Sequence, residues 1–406
     1  MSGVVSTRPR PSLDGLAELA RLSVDGSSES IERILSLARA ALDMDVAVMS
    51  AFDGDFVIRA VEGEHEWFDL NVGLRIPVDQ TYCGRMTKGE IPQLVNDAAT
   101  DDRTADLPLT REAGIGAYIG VPIRLWDGTL YGTLCCLSRA AEPSLNGRDV
   151  RFLRVLAEIV ADQLDRDQLE GEKRRLEWSR IRAILDRDDV YVEFQPVFDL
   201  LDRSIVSLEA LARFWTEPMR PPSVWFAEAN EVGLGAELEL AAIRSALQRI
   251  DEFPAGVGLA LNVSPATALD PRFCELLLDV AERIVIEITE HAQVDDYDAL
   301  ASALARLRER GAQLAIDDVG AGFANLRHIL RLAPDIVKLD LSLTQEISRD
   351  PARKALATSL VGFAEGVGAA IVAEGISSDE DLTLLRALGV DYGQGFYLAR
   401  PSALLN

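Results

Sequence analysis

The chain has only three histidines in 406 residues, His65, His291 and His328. They are too few and too scattered for a histidine-rich metal centre. Its four cysteines, Cys83, Cys135, Cys136 and Cys274, include no CxxC spacing. That excludes a disulfide framework and points to a reducing, cytoplasmic setting. No apolar run approaches the roughly 18 residues of a membrane span, and the start shows no signal-peptide pattern. Positive charge is also short: 41 Lys plus Arg face 66 Asp plus Glu, a formal net charge of −25. Such a chain is a poor partner for DNA, and any phosphate ligand needs metals or a few placed cations. What is present is globular: 48% hydrophobic residues, enough for sizeable cores, and a length of two or three domains at roughly 150 residues each. Residues 1–11, polar with two prolines, are expected to be disordered.

Residues 12–168 read as one α+β unit. Helical spacing appears at Leu13–Leu22 and Ile31–Leu42, followed by the strand-like runs VAVMSAF, FVIRAVE, AYIGVPIRL and LYGTLCCLS. The last two flank an Asp-Gly turn and predict a hairpin. Cys135 and Cys136 fall on opposite faces of their strand, and Cys83 reads as a structural thiol. A long helical stretch follows, with an apolar stripe of Phe152, Val155, Leu156, Ile159 and Val160 that thins beyond Leu164. Residues 169–188 read as a linker, either a solvated helix or a dimeric, coiled-coil-like connector.

Residues 189–406 alternate strands with helices, and about eight strands in this length predict a (β/α)8, TIM-like barrel. The strands end in a telling set. Glu209, Asn262, Glu287, the pair Asp317–Asp318, Lys338 and Glu374 all lie at or near C-terminal strand ends, where a barrel places its active site. Two adjacent acids closing a hydrophobic strand repel unless a cation sits with them. Oxygen donors of this kind suit Mg²⁺ or Mn²⁺ rather than zinc. Asp317 is placed to bridge two metals, with Asp318 filling out one shell.

These residues carry a resemblance. EALAR (Glu209–Arg213), FQPVFDL, LNVSP, IEITE, DDVGAG, IVKLD, VAEG and GQGFYLARP occur in the order and spacing of EAL-domain cyclic di-GMP phosphodiesterases across 189–406. The resemblance implies metal-dependent hydrolysis of cyclic di-GMP to linear pGpG. It implies a two-metal Mg²⁺ or Mn²⁺ shell of Glu209, Asn262, Glu287, Asp317, Asp318 and Glu374. Glu209, Glu374 and Lys338 are then catalytic, with Lys338 orienting the attacking water. Arg213, Gln195 and Gln394 face substrate, and Glu290 holds the loop after Asp318. That loop reads DDVGAGFANL where the family reads close to DDFGTGYSSL, a difference that bears on efficiency and regulation more than on metal binding. The other class of reading is a catalytically silent EAL domain that binds cyclic di-GMP as a receptor. Thr81–Ala98 and Gly114–Ser138 resemble a GAF sensor domain, whose ligand the sequence does not name. A bilin-attaching Cys-His pair is missing, and His65 is the unit's only histidine for haem. The resemblance also implies a homodimer.

Overall fold

The computed structural model describes residues 28–289, 294–320 and 325–403. The expected disorder at 1–11 and the helical pattern at Leu13–Leu22 lie outside these residues. The chain divides into two compact units between Lys173 and Arg174.

The first unit is a six-stranded antiparallel sheet. Its strands are β1 (Val46–Asp53), β2 (Asp55–Gly63), β3 (Arg75–Ile76), β4 (Leu94–Val95), β5 (Ala117–Arg124) and β6 (Leu130–Ser138), in the spatial order β3-β2-β1-β6-β5-β4. Alternation along β6 supplies both faces. Leu134 and Cys136 pack with Ile34, Leu35, Leu153 and Leu156, whereas Cys135 and Leu137 pack with Tyr82, Met86 and Tyr118. The adjacent cysteines therefore face opposite cores. Each large side chain fully buried this way contributes about 1.5–3 kcal/mol. The β5–β6 turn runs through Asp127 and Gly128, the latter at φ 83°. Gly132 is required by a close approach: a Cβ there would lie 1.7 Å from the Ser50 carbonyl oxygen on β1. Gly132→Ala is therefore expected to destabilise this unit by about 1–3 kcal/mol, as overpacking does. Denaturant unfolding of the full chain checks this, and an unchanged midpoint would show that the strands part without cost.

One helix runs from Gly147 to Arg187 without a break at Gly171. Its buried stripe is Leu153, Leu156, Ala157, Val160 and Ala161, the i, i+3, i+4, i+7, i+8 pattern of a helix face. Val155, expected on that stripe, falls off the period and is 49% exposed. Farther on, Leu169 and Leu176 are exposed, while Ile181 and Ile184 are buried among Val190, Phe214 and Trp225.

The second unit is a closed eight-stranded barrel. Its strands are β7 (Val190–Asp199), β8 (Ile205–Phe214), β9 (Gly258–Asn262), β10 (Ile284–Thr289), β11 (Gln313–Val319), β12 (Ile336–Leu339), β13 (Ala370–Ala373) and β14 (Tyr392–Gly393). Strands β8 to β14 run parallel; β7 runs antiparallel to both its neighbours, β8 and β14. Only Leu200–Ser204 separates β7 from β8, too short for a parallel crossover and the right length for a hairpin. Among the described residues no helix is long and apolar enough to cross a membrane.

Candidate active site

The barrel places its site through period-2 alternation. Ala260, Val285 and Ala315 form a small apolar cluster with Ile336 packed against it. Two positions further along the same four strands stand Asn262, Glu287, Asp317 and Lys338. The apolar layer is thus the floor of the site, and the polar layer lies toward the C-terminal strand ends, where such barrels carry their chemistry.

Adjacent residues on a regular strand point to opposite faces, so Asp317 and Asp318 should diverge. They do not. The β11–β12 register slips between Ile316 and Val319, leaving one extra residue on β11, and Asp318 takes φ 58°. Aspartate is among the few residues that tolerate this left-handed backbone. The bulge brings ligand oxygens of both aspartates and Glu374 within 4.8 Å of one another. A second group, Glu209, Glu287 and Asp317, is equally tight. Asp317 belongs to both.

Lys338, 1% exposed, stands in the middle. Its Nζ lies 2.8 Å from Glu374, 2.9 Å from Glu287, 3.2 Å from Asp317 and 3.6 Å from Glu209. Burial opposes the charge on Lys338, but Asp317, Glu209, Glu287 and Glu374 outweigh it and hold the ammonium well above its ordinary range. Burial likewise pushes Glu287 well up and Glu374 to about 8, against the pull of Lys338 and with the push of neighbouring carboxylates. Burial works against Glu209 as well, yet Lys338 and the amides of Gln394 and Asn262 leave it below the usual carboxylate range.

The amides are ordered donors. Gln394 Nε2 donates to Glu209 at 2.7 Å and Glu374 at 3.2 Å, and Asn262 Nδ2 donates to Glu209 at 2.9 Å. That leaves Gln394 Oε1 buried without a partner among the described residues, a second-rank cost that a cation or an ordered water relieves. Hard oxygen donors in surplus, crowded onto one ammonium, fit a hard divalent cation. Removing two such charges from water is tolerable only with compensating cations.

The structure thus brings together Glu209, Asn262, Glu287, Asp317, Asp318, Lys338, Glu374 and Gln394. Arg213 and Gln195 stand beside this cluster rather than in it. Arg213 Nε donates to Glu193 at 2.8 Å, and Arg213 lines a cavity of ≈ 390 Å³ together with Asn262 and Glu239. Gln195 is paired in register with Glu209 and donates to the Ala399 carbonyl at 3.2 Å. Glu290 and the loop residues 321–324 lie outside the described residues. Glu193 went unnoticed in the sequence, although it shares a strand face with Gln195 two positions on. Thr344, whose hydroxyl donates to the Glu374 carbonyl, had no motif to mark it. His328 is on a helix and buried, with Nδ1 2.8 Å from the Tyr297 hydroxyl.

A family model described as the EAL domain matches residues 178–401, and one described as the GAF domain matches residues 28–164. The protein named cyclic di-GMP phosphodiesterase PA2567, from Pseudomonas aeruginosa, is 29% identical over 285 residues, 64% of this chain and 48% of that protein. Cyclic di-GMP phosphodiesterase PdeR of Escherichia coli is 27% identical over 236 residues, 55% of this chain and 35% of that protein. The chain thus matches about half the length of the first relative and about a third of the second. The Xanthomonas citri FimX EAL domain, solved in complex with cyclic di-GMP, aligns with TM-score 0.53 at 21% identity, over 59% of this chain and 98% of that one, a likeness of fold. With the barrel and its acidic mouth in place, these matches mean that the chain belongs to the EAL-domain family and carries a GAF domain ahead of its EAL domain.

Proposed function

We propose that the chain hydrolyses cyclic di-GMP to linear pGpG at a two-metal site loaded with Mg²⁺ or Mn²⁺. The observation that carries this reading is the crowding of Glu209, Glu287, Asp317 and Glu374 around the ammonium of Lys338, with Asp318 close against Asp317 and Glu374. Fully ionised, that set has a formal charge of −4, which two divalent ions balance. Glu209, Asn262, Glu287, Asp317, Asp318 and Glu374 would hold the ions, and Asp317 belongs to both acidic groups. When bound, such ions neutralise phosphoryl charge and make a neighbouring water a stronger acid.

The chain's own residues do the rest. Lys338, within 2.8–2.9 Å of Glu374 and Glu287, is placed to donate to the attacking water and fix its position. Glu209 and Glu374 keep Gln394 in place through its amide, and Gln394 completes the substrate side of the shell. Arg213, at the wall of the cavity it shares with Asn262, contacts a phosphate of the dinucleotide, and Gln195 shapes the adjoining wall. Support of the following loop by Glu290 belongs to the same reading. The GAF domain regulates the activity in response to an unidentified ligand. The protein acts in the cytoplasm as a homodimer, a reading supported by exposed Leu169 and Leu176, one heptad apart on the helix.

The test is incubation of purified protein with cyclic di-GMP and Mg²⁺ or Mn²⁺, following pGpG by chromatography. Product above a no-enzyme control is expected. Binding without product at high enzyme concentration would favour the receptor reading instead. Calcium is expected to support substrate binding but almost no turnover, because Ca²⁺ takes more ligands at longer distances than Mg²⁺. Calcium-supported rates comparable with those in magnesium would count against a tight two-metal geometry.

A further inference from the structure

The sensor unit contains a pair of thiols that the proposed phosphodiesterase activity does not use. Cys83 lies on the short helix Tyr82–Thr87 and Cys135 on β6, 52 residues apart in sequence, yet their Sγ atoms are 3.4 Å apart. Both line an apolar cavity of ≈ 70 Å³ with Ser50, Tyr82, Tyr118 and Leu137. A water needs only about 10–15 Å³ of such space, so a molecule the size of hydrogen peroxide fits. Cys83 is half-buried and Cys135 buried. The Tyr118 hydroxyl donates to Cys83 Sγ at 3.8 Å. We propose that Cys83 and Cys135 are a peroxide-reactive dithiol that closes to an intrachain disulfide.

Two observations set the order of events. The contact with Cys135, with help from Thr133 and Tyr118, outweighs burial and holds the Cys83 thiol below its ordinary range. The same contact, together with burial, holds Cys135 well above it. Exposure and contacts agree: Cys83 is half-buried and accepts from the Tyr118 hydroxyl, whereas Cys135 is buried, so Cys83 is the thiolate that attacks and Cys135 the thiol that resolves. The Cys83 thiolate attacks one oxygen of a hydroperoxide; the O–O bond breaks, and the departing alkoxide or hydroxide takes a proton to leave as alcohol or water. Cys83 is then a sulfenic acid. Cys135 sulfur attacks it, the S–O bond breaks, and hydroxide leaves with the Cys135 proton as water. Two thiols and one hydroperoxide thus give one disulfide, one alcohol or water, and one water. The sulfurs close from 3.4 Å to the roughly 2.05 Å of a disulfide. Closure ties the helix Tyr82–Thr87 to the sheet across the cavity. Cys136 is excluded by its position on the opposite face, among Ile34 and Leu153.

The experiment uses the full chain, reduced and then exposed to hydrogen peroxide or cumene hydroperoxide. It is alkylated under denaturing conditions and weighed intact. The four alkylated thiols of the reduced protein are expected to fall to two, and dithiothreitol to restore all four. Peptide mapping should join the Cys83 peptide to that carrying Cys135 and Cys136. Because those two share a tryptic peptide, Cys136→Ser must still form the link, and Cys135→Ser must abolish it and leave Cys83 trappable by dimedone. Four alkylated thiols at a dose that oxidises free glutathione would overturn the proposal. So would a link through Cys136 or Cys274, or one formed between chains.

Discussion

Replacing Lys338 by methionine is expected to lower the turnover of cyclic di-GMP by at least about a hundredfold, the lower range for loss of a group that manages a proton in the transition state. Substrate binding should change far less, because the ammonium is buried among carboxylates and, in the proposed role, acts on the water rather than on the dinucleotide. Methionine keeps most of the stem and so preserves packing against the apolar floor of the site. The metal-free variant should also be less stable, since Glu209, Glu287, Asp317 and Glu374 lose their shared counter-charge. Breaking a buried ion pair from one side typically costs about 3–5 kcal/mol. Added Mg²⁺ should return part of that stability. Steady-state kinetics beside thermal unfolding with and without metal separates the two effects. If the variant lost affinity for substrate and kept its rate per bound complex, the assignment of Lys338 to the water would be wrong.

Asp317→Asn should cost more. Asp317 is the residue common to both tight acidic groups, Glu209–Glu287–Asp317 and Asp317–Asp318–Glu374. Its loss weakens both ion positions together, and metal charge stabilisation is worth several kcal/mol at the transition state. A fall of at least about a thousandfold corresponds to roughly 4 kcal/mol. Asp318→Asn touches one group only and should retain stoichiometric binding at the other. Calorimetric titration with Mn²⁺ reads the number of sites directly. Two sites with ordinary affinity in Asp317→Asn would refute the shared-ligand assignment.

Much of this arrangement is legible in the sequence. Strands carrying Glu209 at mid-length, and Asn262, Glu287, Asp317, Lys338 and Glu374 in or just beyond their C-terminal halves, need only the barrel rule and the alternation of a strand to be placed in one mouth. Three features needed more. The bulge at Asp317–Asp318 depends on counting residues in the partner strand β12, which a local reading of β11 cannot do. Glu193 needed the strand-face alternation to be carried one strand back, to the partner of β8. The closeness of Cys83 and Cys135 is a tertiary contact across 52 positions, and neither residue sits in a motif that foretells it. The direction of β7 was available: a five-residue connection to β8 cannot carry a crossover, and the barrel expectation simply outran that detail.

The reversed first strand changes where the polypeptide enters the barrel. In an all-parallel barrel the first strand starts at the floor, remote from the chemistry. Here Val190 pairs with Phe214 and Tyr191 with Arg213, at the far end of β8. The preceding helix therefore delivers its final turns to the rim where Arg213 stands. Ile181 and Ile184 rest in the same apolar cluster as Phe214, one peptide bond from Arg213. A small twist of that last stretch of helix has a single layer of side chains to cross before it is felt at the wall of the cavity that Arg213 and Asn262 line.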